Sequence, residues 1–181
     1  MVNISTKILL ITLLLTACNQ EKELASKKYF DLKGFSTSLV QNLKTEKPEV
    51  TKNWQIGGEH EVKTIRDIDW DKELSLFVDA DLNKSAFTNS YEISNNKILT
   101  TYKLKPKERL PVKEMSIKTP LPEDSKEISI KTSTSNYLFE TQSDIALKTK
   151  NGKLQEYSVF TIQKLFLSKP DTSYIQGNLK Y

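Results

Sequence analysis

Four acidic residues alternate along a short segment of the chain and have the spacing of potential cation ligands. They are Asp67, Asp69, Asp71 and Glu73. A calcium loop of the helix-loop-helix type requires glycine at its sixth position and glutamate at its twelfth. Counted from Asp67, those positions hold Lys72 and Val78, so the calcium motif is not satisfied. We interpret the cluster as carboxylates at the start of a helix, where the helix dipole favours negative charge.

The only histidine, His60, lies between Glu59 and Glu61, next to a predicted turn. Nucleophilic catalysis requires a base that is oriented by a third group and lies within hydrogen-bond reach of the nucleophile. The sequence contains no Gly-x-Ser-x-Gly segment, and the Ser-x-x-Lys match at Ser94 and Lys97 falls in a predicted turn rather than on a helix. We therefore expect His60 to be an exposed turn residue, and we predict no catalytic residue, no metal site and no cofactor.

The only cysteine, Cys18, follows a segment with the features of an export signal. Lys7 and the α-amino group give residues 1–17 a positive start, and residues 8–15 are almost entirely aliphatic. At about 1.5 Å per residue this apolar stretch is about 12 Å long, whereas the hydrocarbon core of a bilayer is about 30 Å thick. Residues 1–17 are therefore predicted to be a removable signal peptide rather than a membrane span.

The residues that surround the predicted cleavage point indicate lipidation. The sequence Leu15-Thr16-Ala17-Cys18 resembles the lipobox of bacterial lipoproteins. The resemblance implies that the thiol receives a diacylglycerol, that the leader is cut before the cysteine, and that the new amine is acylated with a fatty acid such as palmitate. Two or more acyl chains hold a protein stably at a membrane where one chain does not. The alternative is an ordinary signal peptide followed by an incidental cysteine.

Residues 18–28 are predicted to form a polar tether between the acylated cysteine and the folded domain. The tether resembles the charged segments that follow the acylated cysteine in surface lipoproteins of the Bacteroidetes type. Residues 29–35 and 70–74 give the domain a similar resemblance to uncharacterised envelope lipoproteins of that type, which implies no activity and no functional residues. Asn19, rather than aspartate, follows the cysteine, and this favours the outer membrane without indicating which leaflet.

Composition limits the partners that the protein can have. The 181 residues carry 27 Lys and Arg against 23 Asp and Glu, a formal net charge of +4. These charges alternate along the chain instead of forming the basic surface that nucleic-acid binders use. We therefore predict no nucleic-acid partner. The single cysteine excludes an internal disulfide, and the length fits one domain, predicted to span residues 29–181.

Two amphipathic helices are predicted in the first half of the chain. Residues 29–44 place apolar side chains on one face at helical spacing, with Asp31 as N-cap and Pro48 beyond the end. A second helix is predicted to begin after Asp69, because Trp70, Leu74, Phe77, Val78 and Leu82 form an apolar stripe. Between the helices, two β-favouring runs flank Gly57-Gly58 and predict a hairpin in which Val50 pairs with Ile65 and Trp54 with Glu61.

From residue 89 onward the apolar period changes to two, which predicts antiparallel strands. Residues 113–119 and 126–132 are almost identical in sequence. We interpret them as neighbouring strands that place Met115, Ile117, Ile128 and Ile130 on one face. Asn151-Gly152 predicts a further hairpin. We expect a three-residue loop with a bulge, which sets Ile145 opposite Tyr157; a two-residue loop would set Ile145 opposite Ser158.

Together these patterns predict the α+β class, with two N-terminal helices packed on a curved antiparallel sheet of six or more strands and one early hairpin. Aromatic residues on the predicted strands are expected to fill the core, with an aromatic-lined cavity as the alternative; they are Tyr91, Tyr102, Tyr137, Phe139, Tyr157, Phe160, Phe166 and Tyr174. We predict a non-enzymatic envelope lipoprotein of structural or interaction type, bound to the lipid bilayer through Cys18. Its further partner is either a protein or an apolar ligand, and a carrier or sensor of an apolar ligand is the alternative function.

Overall fold

The computed structural model describes residues 27–120 and 124–181. The predicted signal peptide, Cys18 and nearly all of the polar tether lie outside the described residues.

Three α-helices and nine strands make up the described residues. The helices are α1 (Leu32–Glu46), α2 (Trp70–Glu73) and α3 (Ser75–Asp79). The strands are β1 (Glu49–Ile56), β2 (Glu59–Ile65), β3 (Tyr91–Asn95), β4 (Leu99–Leu104), β5 (Val112–Lys118), β6 (Ser125–Ser135), β7 (Phe139–Lys150), β8 (Lys153–Leu165) and β9 (Asp171–Lys180). One turn of 3-10 helix, Ser85–Phe87, precedes β3.

All nine strands belong to one antiparallel sheet with the order β2-β1-β9-β8-β7-β6-β5-β4-β3. From β3 onward each strand pairs with the next, so β3 to β9 form a meander. The early β1–β2 hairpin extends this meander, because β1 pairs with β9, the last strand. Helices α2 and α3 connect β2 at one edge to β3 at the other, whereas α1 precedes β1. In the part of the chain that the structure describes, β2 and β3 are the two edge strands.

The predicted α+β arrangement, with two N-terminal helices packed on a sheet, is wrong. One nine-stranded sheet dominates, and among the described residues only α1 is longer than two turns. Asp31 caps α1 as predicted, and its Oδ1 accepts the Gly34 N–H at 2.9 Å. The second predicted helix is interrupted at Leu74, where φ is −101° and ψ is 10°, and helical geometry ends at Asp79. The break preserves burial of Trp70, Leu74 and Phe77. Their spacing predicted the buried positions correctly, but not the continuity of the helix.

The early hairpin has the predicted register, with Val50 opposite Ile65 and Trp54 opposite Glu61. Gly57 and Gly58 both have positive φ, 59° and 87°, as a tight two-residue turn requires.

Both registers predicted for the later hairpin are wrong, since Ile145 lies opposite Val159. The loop does have two residues, Asn151 and Gly152, both with positive φ. However, the pairing shifts by one residue between Lys148 and Thr149, and Gln155 is left without a partner. The extra residue is therefore a bulge inside β8, where the sequence gave no turn signal.

The two similar segments are neighbouring strands, as predicted. In the β5–β6 pair, Met115 lies opposite Ile130 and Ile117 opposite Ile128. All four side chains are buried on one face. Identical alternation on adjacent antiparallel strands places apolar residues on the same side, so the likeness has a structural explanation.

The helices cover only one face of the sheet. Buried side chains of α1, α2 and α3 form one continuous cluster with those of the strands. The opposite face carries cross-strand ion pairs at its surface: Lys118–Glu127 at 3.5 Å, Lys131–Glu114 at 3.7 Å and Lys148–Glu156 at 3.2 Å. Exposed pairs of this kind stabilise weakly, by about 0–1 kcal/mol each. The fold therefore depends on the covered face.

Burial ends part of the way along the longest strands. In β7 it is confined to Ile145, Leu147 and Thr149, and in β8 residues 162–165 are exposed on both faces. The outer ends of β6, β7 and β8 thus project beyond the helices. We call this projection the arm, residues 133–142 and 161–172.

Gly177 occupies a position where the sheet can accept no side chain. A Cβ built there would lie 2.2 Å from Cε1 of Tyr157, the opposite residue on β8. The Tyr157 ring is 1% exposed and packs edge-on against Trp70 at a centroid distance of 6.3 Å. Glycine at this position lets the ring lie flat on β9 and receive the helical segment above it.

We predict that Gly177→Ala destabilises the protein by about 1–3 kcal/mol, the usual cost of overpacking a buried contact. Urea unfolding followed by circular dichroism measures the change. Ser173→Ala, on the same face of β9 but half-buried, is the matched control and should change stability by less than about 0.5 kcal/mol. Equal effects of the two substitutions would contradict the packing argument.

Candidate functional site

Apolar side chains cluster in solvent at the end of the arm. Tyr137 is 83% exposed, Phe166 66% and Leu167 95%. Leu138 and Leu165 are each about half exposed beside them. We call these five residues the tip. Contiguous apolar residues in solvent are unusual on a soluble surface and commonly mark a contact site.

Two adjacent loops build the tip. In the β6–β7 loop, Oδ1 of Asn136 accepts the N–H groups of Leu138 at 2.8 Å and Phe139 at 3.0 Å, which closes a tight turn. The Phe166 N–H donates to the Leu138 carbonyl at 2.7 Å and joins the β8–β9 loop to the first. The tip is consequently one hydrogen-bonded unit.

Leu167 has a backbone conformation that leucine rarely adopts. Its φ is +76°, in the left-handed region, where a Cβ costs about 1–2 kcal/mol. Its side chain is almost fully exposed and gains no packing in return. Residues held in such rarely populated backbone conformations cluster at functional sites.

Basic residues lie immediately behind the tip. Lys164 lines the shallow hollow between the two loops, with Glu140 on the neighbouring strand. Arg109 and Lys113 line a second hollow against Ser133 and Ser135, at the base of the β6–β7 loop. The site therefore changes from apolar at its end to charged and hydroxyl-bearing behind.

The residues considered for catalysis do not converge. His60 is exposed, as expected, but it lies on β2 and not in the turn, and its Nε2 is 2.8 Å from Oδ1 of Asn53 on the paired strand. Ser94 is exposed on β3, and Lys97 is exposed in the following turn. In the described part of the chain, no three His, Cys, Asp or Glu side chains are grouped to hold a metal ion.

Three members of the acidic cluster, Asp69, Asp71 and Glu73, form contacts that hold the helices in place. Asp69 caps α2, and hydrogen bonds from the Lys72 ammonium and backbone N–H lower the pKa of its carboxyl. Asp71 forms an ion pair with Lys44 of α1. Glu73 lies on the buried side of α2. These contacts agree with the interpretation of the cluster as helix-start carboxylates.

Glu73 is the centre of a partly buried polar triad. Its Oε1 accepts the Tyr157 hydroxyl at 2.6 Å and lies 2.7 Å from Nζ of Lys52. Burial, and then the hydrogen bond to Glu73, raise the pKa of Tyr157 well above its usual range, so the hydroxyl remains a proton donor. Every member has a partner within the triad. We interpret the triad as the polar link between α2 and the sheet.

The predicted aromatic stripe divides between core and surface. Tyr91, Tyr102 and Tyr157 are core residues. Tyr137 and Phe166, predicted on strands, instead lie in the loops of the tip. The sequence does contain a signal for the tip: the apolar run Leu165-Phe166-Leu167 is followed, after Ser168, by Lys169-Pro170-Asp171, which favours a turn. Three consecutive apolar residues are compatible with either the end of a strand or an exposed loop, so the sequence alone does not distinguish the two.

The chain matches no family model, no curated protein and no solved structure. In residues 27–120 and 124–181, none of the helices has the length and apolar character needed to cross a membrane.

We predict that Leu167→Gly stabilises the protein by about 0.5–1 kcal/mol, because glycine removes the strain of positive φ and no packing is lost. Chemical denaturation at equilibrium measures the gain. Asn151→Gly, at φ +51°, is the control and should gain less, since asparagine tolerates this region. A loss of stability in Leu167→Gly would show that the leucine supports the fold instead.

Proposed function

We propose that this protein is a non-enzymatic lipoprotein of the bacterial cell envelope, anchored to the outer membrane by acylated Cys18 and acting through contacts of its tip. The observation that carries the proposal is the exposure of Tyr137, Phe166 and Leu167 on one hydrogen-bonded unit. Such a surface suits binding, because it offers exposed apolar area to a partner.

The lipobox resemblance supports the anchored part of the proposal. Between Cys18 and Lys27, the first described residue, a fully extended chain reaches at most about 30 Å. The folded domain would therefore stay within that distance of the membrane to which the acyl chains bind. At such short range even a weak contact by the tip becomes effective, because the anchor raises the local concentration.

The packing between α1 and the sheet does not favour the alternative function, carriage of an apolar ligand between them. Leu32, Leu39 and Leu43 are at most 3% exposed and belong to the same cluster as Ile128 and Leu147. A hollow of about 420 Å³ beside the helices has a charged lining that includes Lys27, Lys33 and Asp81. An apolar ligand would have to desolvate these charges.

The test combines the anchor with the tip in living cells. Wild-type protein should incorporate labelled palmitate, and Cys18→Ser should accumulate as an unprocessed, unlabelled precursor. A photo-crosslinking amino acid at Phe166 should then form adducts in the membrane fraction. The same amino acid at Lys150, an exposed residue at the opposite end of β7, should form few.

Normal palmitate labelling of Cys18→Ser would contradict the anchor. Equal adduct formation at positions 166 and 150 would contradict the tip as the contact surface. The two parts of the proposal can thus fail separately.

A further inference from the structure

The composition of the arm changes with distance from its end. Tyr137, Phe166 and Leu167 lie at the extremity. Hydroxyl side chains follow on the strands immediately behind, among them Thr134, Ser135 and Thr141. Cationic side chains occupy the same level or lie just behind: Arg109, Lys164 and Lys169. The ammonium of Lys113, further back, donates to the Leu110 carbonyl at 2.7 Å. This order matches the depth profile of a bilayer, in which acyl chains lie beneath polar and phosphate-bearing headgroups.

The shape of the tip favours a fluid partner over a protein. Its apolar side chains project from two loop ends at the extremity of the arm, and Leu167 is almost free of contact with its own chain. Specific protein interfaces bury about 800 Å² on each partner with close shape complementarity. Five side chains at the end of an arm offer a much smaller contact area than that. Fluid acyl chains can surround such a small apolar group without a complementary pocket.

The side-chain types agree with this choice. Tyrosine is favoured where one end of a side chain is in hydrocarbon and the other in water, and phenylalanine and leucine transfer favourably into hydrocarbon. Lysine and arginine extend their aliphatic stems along apolar surface and place their charges among headgroup phosphates. Glu140 and Asp171 lie at the same level as the cations, so the attraction rests mainly on the apolar tip and the cations assist it.

We propose that the tip inserts into the headgroup and upper acyl region of a lipid bilayer, with the cations behind it on lipid phosphates. The inference rests on the proposed function, since the acyl anchor at Cys18 supplies the proximity that makes insertion of five side chains effective. The protein then has two contacts with lipid, one covalent anchor and one inserted arm, which together orient the sheet relative to the membrane.

The experiment uses the acylated mature protein in proteoliposomes of phosphatidylethanolamine and phosphatidylglycerol. Acylation consumes the only native thiol, so Leu167→Cys introduces a unique site for an environment-sensitive fluorophore such as NBD. We expect blue-shifted emission and loss of roughly half or more of the fluorescence to a nitroxide quencher on the acyl chain. Lys150→Cys, labelled in the same way at the far end of β7, should give aqueous emission and little quenching.

A tip variant shows whether the arm itself carries the insertion. Adding Tyr137→Ser and Phe166→Ser to the labelled Leu167→Cys protein should abolish the blue shift while the far-ultraviolet circular dichroism stays unchanged, because all three positions are exposed. Persistence of the shift in this variant would overturn the proposal. Aqueous emission from the fluorophore in the labelled Leu167→Cys protein would overturn the proposal as well. If photo-crosslinks at Phe166 then went to a protein, the tip would be a protein contact instead.

The design separates this proposal from failure of the anchor. Protein without an introduced cysteine should take up no maleimide, because its Cys18 thiol is blocked. If that thiol reacts, the lipoprotein assignment fails, whatever the fluorophore at position 167 reports. If it does not react and the fluorophore stays in water, the anchor holds and insertion of the tip is refuted.

Discussion

Coverage of a long sheet by short helices is the constraint on which the structure depends. The longest helix in the described residues, α1, has 15 residues and is about 22 Å long, whereas the 13 residues of β8 extend about 43 Å. Such a helix cannot bury the whole length of the central strands. The covered part forms the core, and the remainder projects as the arm. The exposed tip at the end of the arm follows from this difference in length.

The covered part is held by specific contacts rather than by apolar burial alone. Gly177 gives the Tyr157 ring room to lie on β9, and its hydroxyl binds Glu73, which also pairs with Lys52. These contacts fix α2 on the central strands and thereby set where coverage ends. Beyond that limit the arm is polar and hydroxyl-rich, and its end carries apolar side chains and the strained Leu167. The long strands are thus packed against the helices at one end and exposed to solvent at the other.

Local patterns predicted local structure well. Turn glycines set the register of the first hairpin, Asp31 capped α1 as its spacing indicated, and the two similar segments pair as neighbours. Features decided by tertiary packing were missed. Most apolar residues between Trp70 and Leu82 are buried as their spacing predicts, yet the helix breaks at Leu74. The bulge at Gln155 lies within a strand whose sequence carries no glycine or turn residue to mark it. The tip was missed because an apolar run at a strand end looks like core until the cover above it is known.

The central claim is that one end of the sheet is a contact surface and the other a packed core. Hydrogen–deuterium exchange of the acylated protein, compared between detergent micelles and liposomes, tests it most directly. The account predicts that liposomes slow exchange in the two loops of the tip, residues 136–140 and 165–170, and leave the exchange of α1 and the edge strands β2 and β3 unchanged. Protection that appears along β2 or β3 instead, with the tip loops unaffected, would contradict it.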